Sequence, residues 1–239
     1  EVHIYGGNGQ GQTAGFGGHI ELKAGTGASR SGGSIYFTSG IGTATSSGEV
    51  RLSTSNSGPS GVSGAVTMRT GSTTNGDSGT FTFSTGTSTS GKAGAVIVTV
   101  GQGDSGQGGN IEMEAGYITG STGLTGGLVR IATGTSSETS SGDMSLYTAD
   151  AGTLGVSGTI NMSTGTSTDA LASAGDINII TGMSTAHRGG KIVASVGTTS
   201  MGNGNDINMT AGTTTSASST GGQINITGGY GQSTSSGAG

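Results

Sequence analysis

Residues 87–103, TSTSGKAGAVIVTVGQG, contain the unit from which the whole chain is built. Two apolar residues, Val96 and Val98, are separated by a single residue, and we name their places the first and second apolar positions. Gly94 precedes Val96 by two residues, and Gly101 follows it by five. We name these the leading and the trailing glycine. The remaining residues are mostly Ser, Thr and Gly, so the few apolar residues are concentrated at fixed places.

The unit recurs along the entire chain in fifteen copies. Eight of the fourteen intervals between first apolar positions are 15 residues, and the others are 16 to 18. Of the 30 apolar positions, 29 hold Ile, Val, Leu, Phe or Met, and Ala194 is the exception. Two residues after the second apolar position comes a small residue, and we name its place the small position. The first apolar positions are Val2, Ile20, Ile35, Val50, Val66, Phe81, Val96, Ile111, Val129, Met144, Ile160, Ile177, Ile192, Ile207 and Ile224.

A longer repeat contains several of these units. Residues 43–68, TATSSGEVRLSTSNSGPSGVSGAVTM, align with residues 137–162, SETSSGDMSLYTADAGTLGVSGTINM, at an offset of 94. Six units therefore form a superrepeat of about 95 residues, and internal repeats of this kind are typical of elongated arrays. We predict that residues 1–239 are one continuous repeat segment, excised from a longer array.

The pattern predicts an all-β fold. Alternation of apolar and polar residues over a short run is typical of a strand with one buried face. Leading glycines occur in 13 of 14 copies and trailing glycines in 13 of 15, as expected for turns that need a positive φ or a close backbone approach. We therefore expect a narrow parallel β-solenoid of about 15 coils, with equivalent strands stacked about 4.8 Å apart.

Composition excludes several classes of protein. Charged residues make up 9% of the chain and the net charge is −5, so no basic stripe for nucleic acid is expected. There is no Cys, which excludes disulfides and thiolate metal sites. A single Pro and the lack of a three-residue glycine period exclude collagen. No apolar run approaches the length of a membrane span.

No catalytic, cofactor or metal site is predicted, and we do not expect an enzyme. His3, His19 and His187 lie in distant copies, so no metal triad or nucleophile–base pair is visible. Glu112 and Glu114 share one outward face but occupy ordinary surface positions. A carbohydrate-active β-helix enzyme remains an alternative, disfavoured because it needs a clustered groove of charged residues.

Three binding or modification motifs remain open. GNGNDINM, residues 202–209, resembles a single calcium-binding nonapeptide without its tandem copies. Sequons for N-glycosylation begin at Asn161, Asn208 and Asn225, each between the two apolar positions of its copy. Thr-x-Thr resembles the threonine ladder of ice-binding solenoids, but it occurs in non-adjacent copies: Thr43-Ala44-Thr45, Thr87-Ser88-Thr89, Thr166-Ser167-Thr168 and Thr213-Thr214-Thr215.

A family resemblance rests on the style of the repeat. GGSIYFTSGIGTATSSGEVRL, SNSGPSGVSGAVTM and GDSGTFTFSTGTSTSG are similar to Gly/Ser/Thr-rich repeat proteins of stramenopile algae and to arrays in bacterial surface adhesins. The resemblance implies an extracellular structural protein of a wall, a sheath or flagellar hairs (mastigonemes). With the three sequons, the expected protein is a glycoprotein. The expected partners are further repeat coils end to end, other filament proteins or glycans, with no nucleic acid and no membrane span. The alternatives are an adhesin stalk and an ice-binding solenoid.

Overall fold

The computed structural model describes residues 2–10, 15–120, 125–169 and 171–229. These residues contain neither a helix nor a strand, so the prediction of an all-β parallel solenoid is wrong. The chain divides into two units, Glu1–Met113 and Glu114–Gly239, and the division falls inside the eighth copy of the repeat. In each unit the apolar segments alternate with short loops that close on themselves.

The loops are closed by backbone hydrogen bonds between glycines. In seven copies the leading glycine donates its N–H to the carbonyl oxygen of the preceding trailing glycine, and we name this pair a neck. A loop whose two ends lie together in this way is an Ω-like loop. The bonds are Gly18 to Gly7 (2.7 Å), Gly33 to Gly25 (2.9 Å), Gly48 to Gly40 (2.9 Å), Gly127 to Gly116 (2.8 Å), Gly142 to Gly134 (3.0 Å), Gly190 to Gly182 (3.5 Å) and Gly222 to Gly212 (2.9 Å).

The small position is the most covered place in the repeat. Of the seven partly buried residues among those described, six occupy it and Gly42 does not. The leading glycine lies directly against it: a Cβ built on Gly33 would stand 3.2 Å from the Cβ of Ala24. The six are Gly6, Ala24, Ser39, Ala115, Thr148 and Ala211. Small side chains are therefore needed where the neck brings two parts of the backbone together.

Eight of the loops bend at the same place. The bend covers the eighth to tenth residues after the first apolar position, as at residues 28–30 and 185–187. A Ser or Thr just before the bend bonds to its backbone in five copies, as when Ser184 Oγ accepts the N–H of His187 at 3.0 Å. The other four are Thr73, Ser136, Thr199 and Thr214. Side chains of this type commonly satisfy nearby backbone groups in turns.

Other copies have glycine where these have the Ser or Thr just before the bend. In Gly27 and Gly42 a Cβ would collide with backbone carbonyl oxygens across the loop, of Arg30 and of Ser46 respectively. Side chains cannot be accommodated there, because the obstacle is backbone rather than the end of a flexible side chain. The Ser/Thr-rich and Gly-rich segments between apolar pairs thus serve one purpose, which is to turn the chain within a few residues.

The apolar segments are locally extended without being paired into a sheet. Residues two apart lie on the same side: the rings of Phe81 and Phe83 meet edge to face with centroids 4.7 Å apart. On the opposite side of another copy, Glu49 Oε1 lies 3.6 Å from Arg51 Nε. Every backbone–backbone hydrogen bond of the described residues lies in a neck or a tight turn. The alternation predicted from the sequence is a local property, whereas a solenoid requires ladder bonds between copies, and these are absent from the described chain.

Candidate functional site

The sequence predicted no metal or catalytic site, and the residues considered for one were three histidines and two glutamates. His3 stacks on Tyr5 with ring centroids 5.8 Å apart, and His187 lies in a loop bend. Glu112 accepts a hydrogen bond from Asn110 Nδ2 at 3.3 Å, and its side chain is exposed. Within the described residues, no three His, Asp or Glu side chains stand close enough to hold a metal ion.

The calcium-like and threonine motifs lie in exposed chain. Asp206 is exposed and belongs to no cluster of metal-ligating side chains in the part of the chain that is described. Thr43 and Thr45 are the two ends of a bend rather than neighbours on an extended row. Thr214 is engaged with its own loop, because its hydroxyl accepts the N–H of Ser216 at 3.2 Å.

The three predicted glycosylation sites are exposed. Asn161, Asn208 and Asn225 each stand between the two apolar positions of an extended segment. Because side chains alternate in extended chain, the asparagines and the apolar residues point to opposite sides. Their modification stays a prediction, and a glycan at these positions would leave the apolar side of the segment uncovered.

The apolar residues at fixed places of the repeat are the largest set of candidate contact residues, and we name them the apolar rows: the first and second apolar positions of all copies. The described chain buries no side chain, hydrophobic or polar. Nevertheless most residues of the rows are more covered than most apolar residues of the loops. Ile160, at a first apolar position, is 46% exposed, whereas Leu154, six residues earlier in a loop, is 101% exposed. The apolar rows are therefore ordered by the repeat and still available for contact.

A second candidate was missed by the sequence reasoning. The consecutive residues His187, Arg188, Gly189, Gly190 and Lys191 line one open concavity of the surface, and we name this segment the basic loop. It holds two of the eight Lys and Arg residues and one of the three His. The sequence signal that could have revealed the basic loop is the close spacing of its basic residues. That spacing is not apparent when basic residues are only counted along the whole chain.

The density of positive charge sets the basic loop apart from the rest of the chain. Arg51 has the exposed partner Glu49, whereas Arg188 and Lys191, like the other described Lys and Arg residues, have no ion pair among the described residues. No Asp or Glu occurs between Asp176 and Asp206 in the sequence. The stretches around Lys23 and Arg30 and around Arg51 and Arg69 also carry two positive charges without an Asp or Glu, but only in the basic loop do two of the Lys and Arg residues fall within four residues.

Comparison of the chain with protein-family models, with curated proteins and with solved structures gives no match. Among the described residues, the structure has no helix that is both long and apolar enough to cross a membrane. The features of the molecule that bear on its function are therefore the repeat, the apolar rows and the basic loop.

Proposed function

We propose that this chain is a segment of an extracellular structural protein that assembles with further copies of the same repeat into a filament, hair or wall layer. The observation that carries the proposal is a regular array of apolar pairs in a chain whose described residues bury no side chain. The repeat-style resemblance to algal and adhesin proteins supports the extracellular, structural role.

Surface area favours assembly over a solitary chain. The chain exposes 24209 Å². A compact monomer of its mass would expose about 9,500 Å², and the fully unfolded chain about 33,000 Å². Folding of the single chain therefore removes only about a quarter of the unfolded surface. Soluble monomers rarely expose contiguous apolar patches of more than a few hundred Å². The apolar rows are accordingly expected to be covered in the working state.

The internal contacts of one chain do not offset the cost of ordering it. A neck contributes one hydrogen bond, worth about 0.5–1.5 kcal/mol net. Ordering the seven residues between Gly25 and Gly33 costs about 1–2 kcal/mol for each backbone residue. The difference must come from contacts that the single chain lacks. Apolar burial against other copies supplies it, at about 25 cal/mol for each Å² removed from water.

The occupant of the apolar rows is another array of the same repeat. Apolar pairs spaced mostly 15 residues apart match in register only a surface with the same spacing. The low charge density, 9% of residues, keeps repulsion between copies small. Sequons on the side opposite to the apolar rows are compatible with glycans on the outside of such an assembly.

The test is concentration-dependent assembly of the purified chain, followed by sedimentation and electron microscopy. We expect oligomers or fibres that grow with concentration. The double substitution Ile160→Ser/Met162→Ser removes one apolar pair and should raise the concentration needed for assembly by about a hundredfold or more, since two buried side chains are worth about 3–6 kcal/mol when fully covered.

The matched control is Leu154→Ser/Val156→Ser, which removes two equally apolar residues from a loop six residues earlier, outside the apolar rows. It should assemble as the unsubstituted chain does. A chain that stays monomeric at millimolar concentration, or an equal effect of both pairs, would overturn the proposal. Mass spectrometry of the native protein should in addition find glycans at Asn161, Asn208 and Asn225; unmodified peptides at all three would reject the N-glycosylation prediction.

A further inference from the structure

We propose that the basic loop binds the sulfate esters of an anionic polysaccharide. Three cationic or protonatable side chains, of His187, Arg188 and Lys191, fall within five residues that line one concavity. A guanidinium forms two parallel hydrogen bonds to an oxyanion, and an ammonium adds a compact positive charge. The basic loop thus combines two groups that bind oxyanions, sulfate esters among them.

The frame of the basic loop is fixed at both ends. The N–H of His187 donates to Ser184 Oγ at 3.0 Å, which holds the bend immediately before Arg188. At the other end Thr181 Oγ1 donates to the carbonyl oxygen of Gly190 at 3.3 Å. A loop held in this way presents its charged side chains at lower entropic cost than an unconstrained segment would.

The two glycines in the centre of the basic loop differ in their surroundings. Gly190 is a leading glycine, and a Cβ there would stand 2.8 Å from the Cβ of Thr181. Gly189 has no such constraint, since a Cβ there would meet only Gly182 O at an ordinary 3.6 Å. Packing therefore does not require glycine at position 189. Its lack of a side chain leaves the concavity open between Arg188 and Lys191.

An equivalent loop in the same chain bends at the same place with less charge. At an offset of 96, Ser88 and Thr89 match Ser184 and Thr185, and both loops bend at the same place, residues 89–91 and 185–187. Lys92 corresponds to Arg188, whereas Gly91, Ala93 and Ala95 stand where the basic loop has His187, Gly189 and Lys191. The loop type is thus independent of the charges, which are an addition to it.

The inference that the ligand is a polymer rests on the proposed extracellular role. The inference that the basic loop recognises sulfate does not depend on that role. One loop offers about two charges, so a single sulfate binds weakly. A polymer that carries many sulfates is held by many loops once copies assemble, because the later contacts are intramolecular. The expected partner is therefore a sulfated polysaccharide of the matrix that surrounds the structure.

The test measures binding of the full chain, below its assembly concentration, to immobilised dextran sulfate, with unsulfated dextran, inorganic sulfate and a short DNA duplex as competing probes. We expect binding that dextran and the duplex do not displace. Arg188→Ser/Lys191→Ala should weaken it about tenfold or more, as expected for loss of two charge-assisted contacts. The reverse graft, Gly91→His/Ala95→Lys, should strengthen it by creating a second basic loop.

A charge-matched control separates local from overall electrostatics. Arg69→Ser/Arg130→Ala removes the same charge from two exposed arginines in other copies and should leave binding nearly unchanged. Either an equal loss in this control, or displacement by the duplex at lower concentration than by dextran sulfate, would overturn the proposal. Assembly is scored on the same samples by electron microscopy. Assembly without binding refutes the basic loop alone, and binding without assembly refutes the structural role alone.

Discussion

The leading and trailing glycines recur with the same regularity but are glycines for different reasons. For all thirteen leading glycines, a Cβ would come within 4 Å of another part of the chain, and the closest approaches are 2.8 Å at Gly18, Gly109 and Gly190. For all thirteen trailing glycines, a Cβ would meet nothing within 4 Å. Neither set has a positive φ. Equal periodicity in a sequence therefore does not indicate an equal structural requirement.

The open space beside the trailing glycines has a use in the proposed assembly. Each trailing glycine supplies the carbonyl oxygen of a neck in the seven copies that form one, but this role needs no particular side chain. Nothing within the single described chain requires glycine at these places. A neighbouring copy that approaches the neck closely would require it, so the comparison connects the pattern of glycines to association between chains.

The largest effect is expected from breaking one neck on its crowded side. Gly127→Ala places a Cβ 3.1 Å from the backbone nitrogen of Gly116 and 3.2 Å from the Cβ of Ala115. Overpacking costs about 1–3 kcal/mol, which exceeds the net 0.5–1.5 kcal/mol of the neck hydrogen bond. The bond should therefore open, and hydrogen exchange at the amide of residue 127 should accelerate to the rate of an unprotected amide.

The trailing partner of the same neck is the control. Gly116→Ala adds a methyl group to a place with nothing within 4 Å, so protection of the Gly127 amide should be retained in the single chain. Equal loss of protection in both variants would show that glycine acts through backbone freedom rather than through space. In that case the distinction between the two sets of glycines would be wrong.

A smaller effect is expected where glycine is needed for its backbone angle. Gly106 has a φ of +77°, while Gly91 at the equivalent place of the preceding copy does not have a positive φ. A side chain in the left-handed region costs about 1–2 kcal/mol. Gly106→Val should therefore shift the loop out of this conformation, whereas Gly106→Asn should retain it, since Asn tolerates positive φ.

NMR coupling constants of residue 106 report the sign of φ directly. Gly91→Val is the control and should leave the coupling constants of its neighbours unchanged, because only the rotatable Ser88 Oγ lies near, at 3.3 Å. If Val at position 106 kept a positive φ, or if both valine variants disturbed their loops equally, the assignment of these glycines to backbone angle would fail.

The sequence predicted the composition of the repeat better than its architecture. Glycines at fixed places were expected at turns that need a close backbone approach, and the leading glycines do lie close to another part of the chain, as Gly33 does to Ala24. Their contact with the small position was not predicted. The sheet was not found, because alternation such as Phe81–Thr82–Phe83 specifies only which side each residue faces. Which other segment pairs with it is a non-local choice that a segment of five residues does not encode.

The candidate sites divide in the same way. The apolar rows could be identified from periodicity, since Ile160 and Met162 belong to a pattern that runs through every copy. The basic loop could not, because it is a departure from that pattern: His187 and Lys191 occupy places that hold Gly91 and Ala95 one superrepeat earlier. Alignment of superrepeats residue by residue, rather than of units, is the comparison that would have revealed it.

The smallest effect is expected from the hydroxyl that supports a single bend. Ser136 Oγ accepts the N–H of Thr139 at 2.9 Å, in the same place where Ser184 supports the basic loop. Ser136→Ala removes a hydroxyl that also accepts the N–H of Glu138 at 3.4 Å and bonds to Thr139 Oγ1 at 2.9 Å. Such exposed bonds are each worth at most about 0.5–1.5 kcal/mol net, so exchange at the Glu138 and Thr139 amides should accelerate at least a few-fold while the neck between Gly134 and Gly142 persists. Ser137→Ala, one residue away and without a hydrogen bond in this loop as described, should leave both amides unchanged. Loss of the neck on removal of this one hydroxyl would mean that bend and neck form together, and that the loop, rather than the glycine pair, is the cooperative unit of the repeat.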